Sequence, residues 1–513
     1  MADSVDDRLL ERFGYQQQYT RTLKRFESFA IGFSFISITT GIFTTFGFVL
    51  NTSGPKGIWT WPIVIVGQTL VAMVYAALAA KIPLAGYSYQ WASRLVNPSL
   101  GWAFGWMSFA FLTIVTVSVD YAFVQVAFQP LLGLTYTPLS AALLTLAVLA
   151  AQALLIIYST PIVTRINNLA VGTEVIGLIG LTVVLLLAAL FLAKFRHFGN
   201  LGSTGIVPAA GWWGWLGPFM LATLLGAYTI VGFESASNLS EETHEPRKVV
   251  PNAMVRSVWL SGIIGMVFLI GITSVIRDLP AASGEAAPVA FIMKDVLGGF
   301  FEKLFLLFIC VSIFACGMVI MVTNSRLTWS MARDRRLPGH QALKSVPRPT
   351  GGPLGATVLV AVLSGVIVLV LRNNTDALFK LFTASTLMPA ILYAGTVLLY
   401  VFTAHRVQHE TGYFSLGRWE WPVIVGALVW LAYELTVLIG PSDFRGAQGY
   451  ALLAVGLGVV VFGLMWLLEP AAMRREAGVT GLEALEAGEG PATPEAAPAP
   501  PPMGEAATPE SPA

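Results

Sequence analysis

Four carboxylates stand inside otherwise apolar stretches of this chain: Asp120, Glu174, Glu234 and Glu434. An ionisable group within a membrane-length segment is costly, and by default it marks a solute site, a proton relay or an interhelical contact. Two further clusters draw their chemistry from the backbone. Residues 218–251 carry Gly226 and Gly232 in mid-run, with Ala227, Tyr228, Thr229, Ile230 and Val231 between them and Phe233 and Glu234 directly after. Residues 26–50 gather Ser34, Ser37, Thr39, Thr40, Thr44 and Thr45 about Gly41. Glycine lets a helix open, and an opened helix in lipid exposes amides and carbonyls that need a partner. Amides at the start of a half-helix suit a carboxylate. The bland alternative is that the Ser and Thr residues bond back to the preceding turn.

The elements that must position these groups follow from composition. The chain has 513 residues, 55% hydrophobic and only 12% charged, with a mean hydropathy of +0.71. Such a chain is too apolar for a water-soluble protein of this length. Runs of about 20 apolar residues, enough to cross a bilayer, recur near 26–50, 61–81, 100–130, 137–158, 166–193, 212–240, 255–276, 301–331, 354–371, 378–403, 421–440 and 449–468. The expected fold is an all-α integral membrane protein of about twelve transmembrane helices. The third and eighth runs are long enough to merge or shift. The interrupted first and sixth spans lie five spans apart, the spacing of a five-plus-five inverted repeat with substrate held at broken helices. The organisation is then a cytoplasmic N-terminal segment (1–25), a transport core of helices 1–10 (26–403), two additional C-terminal helices (404–470), and a tail (471–513) rich in Ala, Pro and Glu. The tail has no aromatic residue and reads as disordered and cytoplasmic. The first 25 residues are polar and charged, and no signal peptide is expected.

Charge sets the orientation. With the N-terminus inside, 21 of the 30 Lys and Arg residues face the cytoplasm, Arg8, Arg12, Arg348, Arg406 and Arg475 among them, and the positive-inside rule puts both termini there. A net charge of +1 gives no reason to expect a nucleic-acid partner. Cys310 and Cys316, six residues apart in one span, fall on different faces of a helix and read as buried apolar residues. None of His197, His244, His340, His405 and His409 falls in a membrane run, so metal or haem ligation there is not expected. No phosphate-binding loop and no nucleophile–base pair is present. The expectation is therefore no enzyme, no cofactor and no metal, with the lipid bilayer as surroundings and the oligomeric state open.

The residues resemble a known family. ISITTGIF in the first span, KIPLAGYSYQWASRLVNP leading into GWAFGW, GAYTIVGFESASNLSEETHEPRKVVPNA in the sixth and NSRLTWSMARDRRLP at the end of the eighth resemble the amino acid–polyamine–organocation superfamily, and most of all its amino acid/choline transporter branch. The family's helix 1 usually has a glycine where Thr39 stands. The resemblance implies that backbone at Ile38, Thr39, Thr40 and Gly41 binds a substrate carboxylate. It further implies that an opened stretch from Gly226 to Phe233 meets the amino end, with Phe233 as an aromatic gate and Tyr228 a second aromatic. It puts Glu174 where some proton-coupled relatives carry a lysine in place of a sodium ion, and suggests that the stretch after Pro83 packs against span 6 or 8.

The acids then divide. A buried carboxyl at Glu174 can take up and release a proton, because burial disfavours the charged form; an interhelical hydrogen bond is the alternative. Asp120 faces the central cavity or lies nearer one surface. Glu234 caps the opened loop or meets a cationic group, and Glu434, outside the ten-helix core, serves packing or an oligomer contact. Thr116 and Ser312 lie near mid-span, within reach of solute. Glu241, Glu242, Glu245, Arg247, Arg333, Asp334, Arg335 and Arg336 are candidate gate ion pairs, and residues 286–298 a short helix over the outer vestibule. The expected function is a secondary transporter moving an amino acid or related small amine across the plasma membrane by alternating access, with proton as co-substrate. An exchanger, a choline or polyamine carrier, and a solute receptor on the same fold remain the alternatives.

Overall fold

Among the described residues, hydropathy and helix follow each other closely. Eleven stretches are long and apolar enough to cross a membrane, and a shorter apolar helix, Pro218–Thr229, takes the sixth place. The computed structural model describes residues 10–11, 13–285, 287–347, 351–374, 377–403 and 412–474. Arg8, Arg12, Ala286, Arg348, His405, Arg406, His409, Arg475 and the tail beyond 474 lie outside them. Residues 17–477 form one compact unit. Of a second unit, 1–16 with 478–513, only a single turn is described, with Gly14 at φ 75°.

The first span is two helices, α1 (Arg25–Ile36) and α2 (Ile38–Thr52). Then come α3 (Trp61–Lys81), α4 (Tyr87–Leu95), α5 (Pro98–Phe123), α6 (Pro138–Tyr158) and α7 (Thr160–Phe191). The second half holds α8 (Pro218–Thr229), α9 (Pro246–Ser274), α10 (Pro288–Leu297), α11 (Gly299–Arg333), α12 (Leu354–Leu371) and α13 (Ala377–Thr403). Two more, α14 (Glu420–Ile439) and α15 (Arg445–Leu468), complete the chain of spans. The third and eighth spans are not merged runs: each is one stretch of 35 residues, the third passing through a π-helical segment, Val124–Phe128, before its last turn, Gln129–Leu132.

Four of the five pairs of spans of equal rank in the two halves pack on each other: α2 on α8, α3 on α9, α5 on α11 and α6 on α12. An inverted repeat of five plus five spans pairs equal ranks in this way. Lipid offers no hydrophobic drive between helices, so close approach needs small residues. Trp61 Nε1 of α3 accordingly donates to Gly262 O of α9 at 2.8 Å, while a Cβ on Gly265 would lie 3.0 Å from the Trp61 ring carbon Cε2. The outer helix α14 docks on α3 in the same way, the Trp430 ring lying where a side chain on Gly67 would stand.

The stretch after Pro83 is no interfacial helix. Every residue of α4 is buried, and the segment hydrogen-bonds to both spans 6 and 8. Gly86 N donates to Asn238 Oδ1 at 3.0 Å, and Gln90 Nε2 to Ser330 Oγ at 2.8 Å. On the other membrane face α10 packs against α11 and α2.

Candidate functional site

The first break falls at Ser37, whose φ of 36° and ψ of 91° are unusual for a residue with a side chain. Its Oγ accepts from Thr40 N at 3.3 Å, the N-cap arrangement for which serine is suited. Thr39, Thr40 and Gly41 therefore lie in the first turn of α2 and are helical; the opening precedes them by two residues. Serine before a Thr-rich turn was the available signal. Gly41 is there for contact. A Cβ on it would overlap Thr229 Oγ1 and lie 2.5 Å from Thr229 Cβ and Cγ2.

The second break is shorter than the glycine spacing suggests. Gly226, Ala227, Tyr228 and Thr229 remain helical in α8, and the open backbone is 230–234, before a short turn of helix at Ser235–Asn238. Gly226 admits Val64, whose Cγ2 would be 2.8 Å from an added Cβ. Gly232 does supply the turn, with φ of 82°, and its bare α-carbon admits the Phe35 ring. Gly232 N donates to Tyr393 Oη at 3.0 Å, and that hydroxyl donates to Glu234 Oε2 at 2.8 Å. Glu234 thus braces the loop through Tyr393 of α13. Phe233 is buried against Tyr75 and Tyr393, with ring centroids 5.8 and 5.2 Å away. The Tyr228 hydroxyl lies 3.1 Å from Ser118 Oγ. Ile230 is buried at the head of the open segment and Ile38 at the head of α2.

Glu174 of α7 reaches the start of α2. Its Oε1 accepts from Thr39 N at 3.0 Å, Thr39 Oγ1 at 3.0 Å and Ser37 Oγ at 3.3 Å. A carboxylate there meets the positive end of the half-helix. Ser312 of α11 closes the group, its Oγ 3.0 Å from Thr39 Oγ1. A void of about 20 Å³ adjoins Glu174, lined also by Thr39, Phe43 and Thr173, enough for one water. Seven residues before Glu174, on the same face of α7, Asn167 is buried, and neither amide atom has a hydrogen-bond partner among the described residues.

The remaining acids point elsewhere. Asp120 lies between α6 and α11: Gln152 Nε2 donates to its Oδ1 at 2.8 Å, and Gly317 leaves the room, since a Cβ there would be 2.7 Å from Gln152 Nε2. Thr116 bonds back to Leu112 O at 2.7 Å, as the bland reading allows. Glu434 is buried within the chain and accepts from Gln68 Nε2 of α3 at 3.2 Å, which makes it a packing group.

On one face of the unit, residues 22–23 cross the end of the sixth span as a strap. Thr22 and Leu23 amides donate to Glu242 O at 2.9 and 3.0 Å, and His244 N returns to Leu23 O at 2.9 Å. Behind this strap Glu241 pairs with Arg333 at 2.8 Å and Glu242 with Arg326 at 2.8 Å. Asp334 accepts from Tyr89 Oη at 2.7 Å, Glu245 pairs locally with Lys248 at 3.4 Å, and Arg336 donates to Pro98 O at 2.8 Å. Tyr19 lies edge-on to Trp329 at 4.9 Å, and burial pushes its phenol well above the ordinary range. Arg326 was not among the expected gate residues; its neighbour Glu242 was. Breaking one partner of a buried pair costs about 3–5 kcal/mol. Arg326→Met, which strands Glu242, is therefore expected to lower stability by that order, read from denaturant unfolding of the purified chain; an unchanged midpoint would count against the pair as a structural lock.

The comparisons with known proteins fit this geometry. The family model described as amino acid permease matches residues 23–462. The chain is 26% identical over 491 residues to the amino-acid permease BAT1 homolog of Oryza sativa subsp. japonica, covering 90% of this chain and 93% of that one. It is 26% identical over 450 residues to amino-acid permease BAT1 of Arabidopsis thaliana, covering 82% and 86%. It is 24% identical over 498 residues to the GABA-specific permease of Saccharomyces cerevisiae, covering 91% and 84%.

Proposed function

The chain belongs to the amino acid permease family, and from that premise we propose that it takes up a free amino acid, GABA-like or α-amino, by alternating access coupled to protons through Glu174. That it is a membrane transporter and no enzyme follows from the family. The observation that carries the substrate reading is the contact of Gly41 with Thr229. It sets the amide-rich start of α2 beside the carbonyl-rich end of α8. A carboxylate is favoured at the first and an ammonium at the second, so one zwitterion meets both, its carboxylate taking over the place beside Thr39 N that Glu174 holds at 3.0 Å in this structure. Ile38, Thr39, Thr40 and Gly41 are the carboxylate side, Thr229, Ile230 and Gly232 the ammonium side, and Tyr228 and Phe233 the walls. Substrates lacking a carboxylate, choline and the polyamines, match only half of this arrangement.

The coupling reading rests on Glu174 holding Thr39 and Ser37 across the first break. Protonation removes the charge that favours the start of α2, which loosens α2 from α7 and changes the site beside it. The Lys and Arg bias supports a cytoplasmic location for both termini. Uptake into proteoliposomes of α-amino acids, GABA, choline and polyamines, with and without a pH gradient and with and without sodium, tests the whole reading. Amino acid accumulation on an inward proton gradient, with no sodium dependence, is expected. Uptake only against preloaded substrate would make the chain an exchanger, and binding without any transport would make it a receptor.

A further inference from the structure

The pair of helices that meet at the N-terminal face, α1 and α9, leave an open groove of about 820 Å³ between them. Its lining on α9 includes a stripe, Lys248, Asn252, Arg256, Leu260 and Ile263, three or four residues apart and so on one side of the helix. The stripe changes character along its length: cations and an amide at the end of the helix, then aliphatic side chains with Trp259 beside them. Across the groove α1 repeats the order, with Arg25 first and then Phe26 and Phe29. Phe26 is 52% exposed and Trp259 47%, though both stand at the height where cationic residues give way to apolar ones.

Among the described residues, little in the protein neutralises these cations. No acidic side chain is part of the groove's described lining. Glu27, the nearest acid in sequence to Arg25, is turned to Lys24 N at 3.0 Å. Lys248 has the exposed Glu245, 3.4 Å away in the preceding turn. Arg247 leaves the groove altogether, donating to Ala80 O at 2.8 Å and stacking on Tyr413 at 3.7 Å. Arg25 and Arg256 carry no carboxylate partner among the described residues. A groove of similar size on the opposite face, about 790 Å³, is different: it holds Lys194, His197 and Arg277 but also Asp278 and Asp295, and Arg277 is paired with Asp295 at 3.0 Å.

We propose that the groove between α1 and α9 is a binding site for one anionic phospholipid, its phosphodiester held by Arg25, Lys248 and Arg256 and its acyl chains lying on Phe26, Phe29, Trp259, Leu260 and Ile263. Guanidinium groups fork onto phosphate oxygens, long basic side chains reach up from apolar surface to the headgroup layer, and aromatic rings settle at the interface just beneath. A soluble anion would use the cations but leave the aromatic and aliphatic wall in water. A zwitterionic lipid would bring its own cation among three others. The occupant matched at both levels is an anionic lipid of the leaflet on this face. The site does not depend on which solute the chain carries, nor on Glu174.

The test is native mass spectrometry of the full chain in detergent, titrated with phosphatidylglycerol and phosphatidylcholine of identical acyl chains. One phosphatidylglycerol is expected to be retained in preference to phosphatidylcholine. Since each basic residue near a membrane surface contributes about five-fold to anionic-lipid affinity, Arg25→Gln with Arg256→Gln should lower that preference by about 25-fold. Arg256→Lys should keep most of it, and Lys194→Gln with Arg277→Gln, in the other groove, should leave it unchanged. A monodisperse peak and an unaltered melting curve establish that the double variant is folded. Equal loss from both pairs of substitutions would show general surface attraction and overturn the site, as would a preference that survives in the Arg25, Arg256 variant.

Discussion

Glu174→Gln is expected to leave substrate binding and exchange intact while abolishing accumulation driven by a pH gradient. The substitution keeps an acceptor oxygen where Thr39 N, Thr39 Oγ1 and Ser37 Oγ converge, at 3.0, 3.0 and 3.3 Å, but like the protonated acid it carries no charge, so α7 meets the first break as it does in the proton-loaded state. What it removes is the ability to gain and lose a proton. With one proton carried per substrate, a gradient of one pH unit supports about ten-fold accumulation, since one such unit is worth about 1.36 kcal/mol; the variant should fall to about one-fold. Counterflow of labelled substrate, which needs no proton gradient, should be retained. The two assays separate the readings of Glu174. A purely structural hydrogen-bond acceptor would leave both unchanged, and ten-fold accumulation by the variant would remove the coupling role.

The second large effect is expected at Gly41. A methyl group there would lie 2.5 Å from both Thr229 Cβ and Cγ2, so α2 and α8 must part at the point where the carboxylate and ammonium ends meet. Overpacking of this kind costs about 1–3 kcal/mol, which, absorbed at the site, weakens substrate binding by roughly 5- to 150-fold. Thr229→Gly in the same chain removes the colliding side chain and should recover most of the affinity, less a modest helix penalty for glycine near the end of α8. Direct binding by calorimetry or scintillation proximity would read both. If Gly41→Ala bound normally, the close approach of the two half-helices would not be the substrate site.

Much of the architecture was legible from local information. Twelve apolar runs gave the spans, because leaving water is decided by the composition of a segment and not by its neighbours. Two Ser, Thr and Gly clusters five spans apart gave the broken pair. The breaks themselves were legible only to within a few residues. Gly41 and Gly226 looked like openers but are helical, and each admits another helix, at Thr229 and Val64. A glycine required by its own φ and one required by a neighbour's side chain look alike until the neighbour is placed, and of these three only Gly232, at 82°, is an opener. Ser37 opens the first span, because its side chain caps the first turn of α2.

The acids mark the same boundary. Sequence alone placed Asp120, Glu174, Glu234 and Glu434 within apolar spans, where an acid demands partners. It did not determine the partners. Glu174 meets Thr39 across 135 residues of chain, Glu234 meets Tyr393 across 159, and Glu434 meets Gln68 across 366. Hydropathy is a property of each segment, whereas a hydrogen bond of about 3 Å depends on how helices distant in sequence are rotated and set against one another. That arrangement placed one carboxylate at the start of a half-helix and left the others bracing the frame around it.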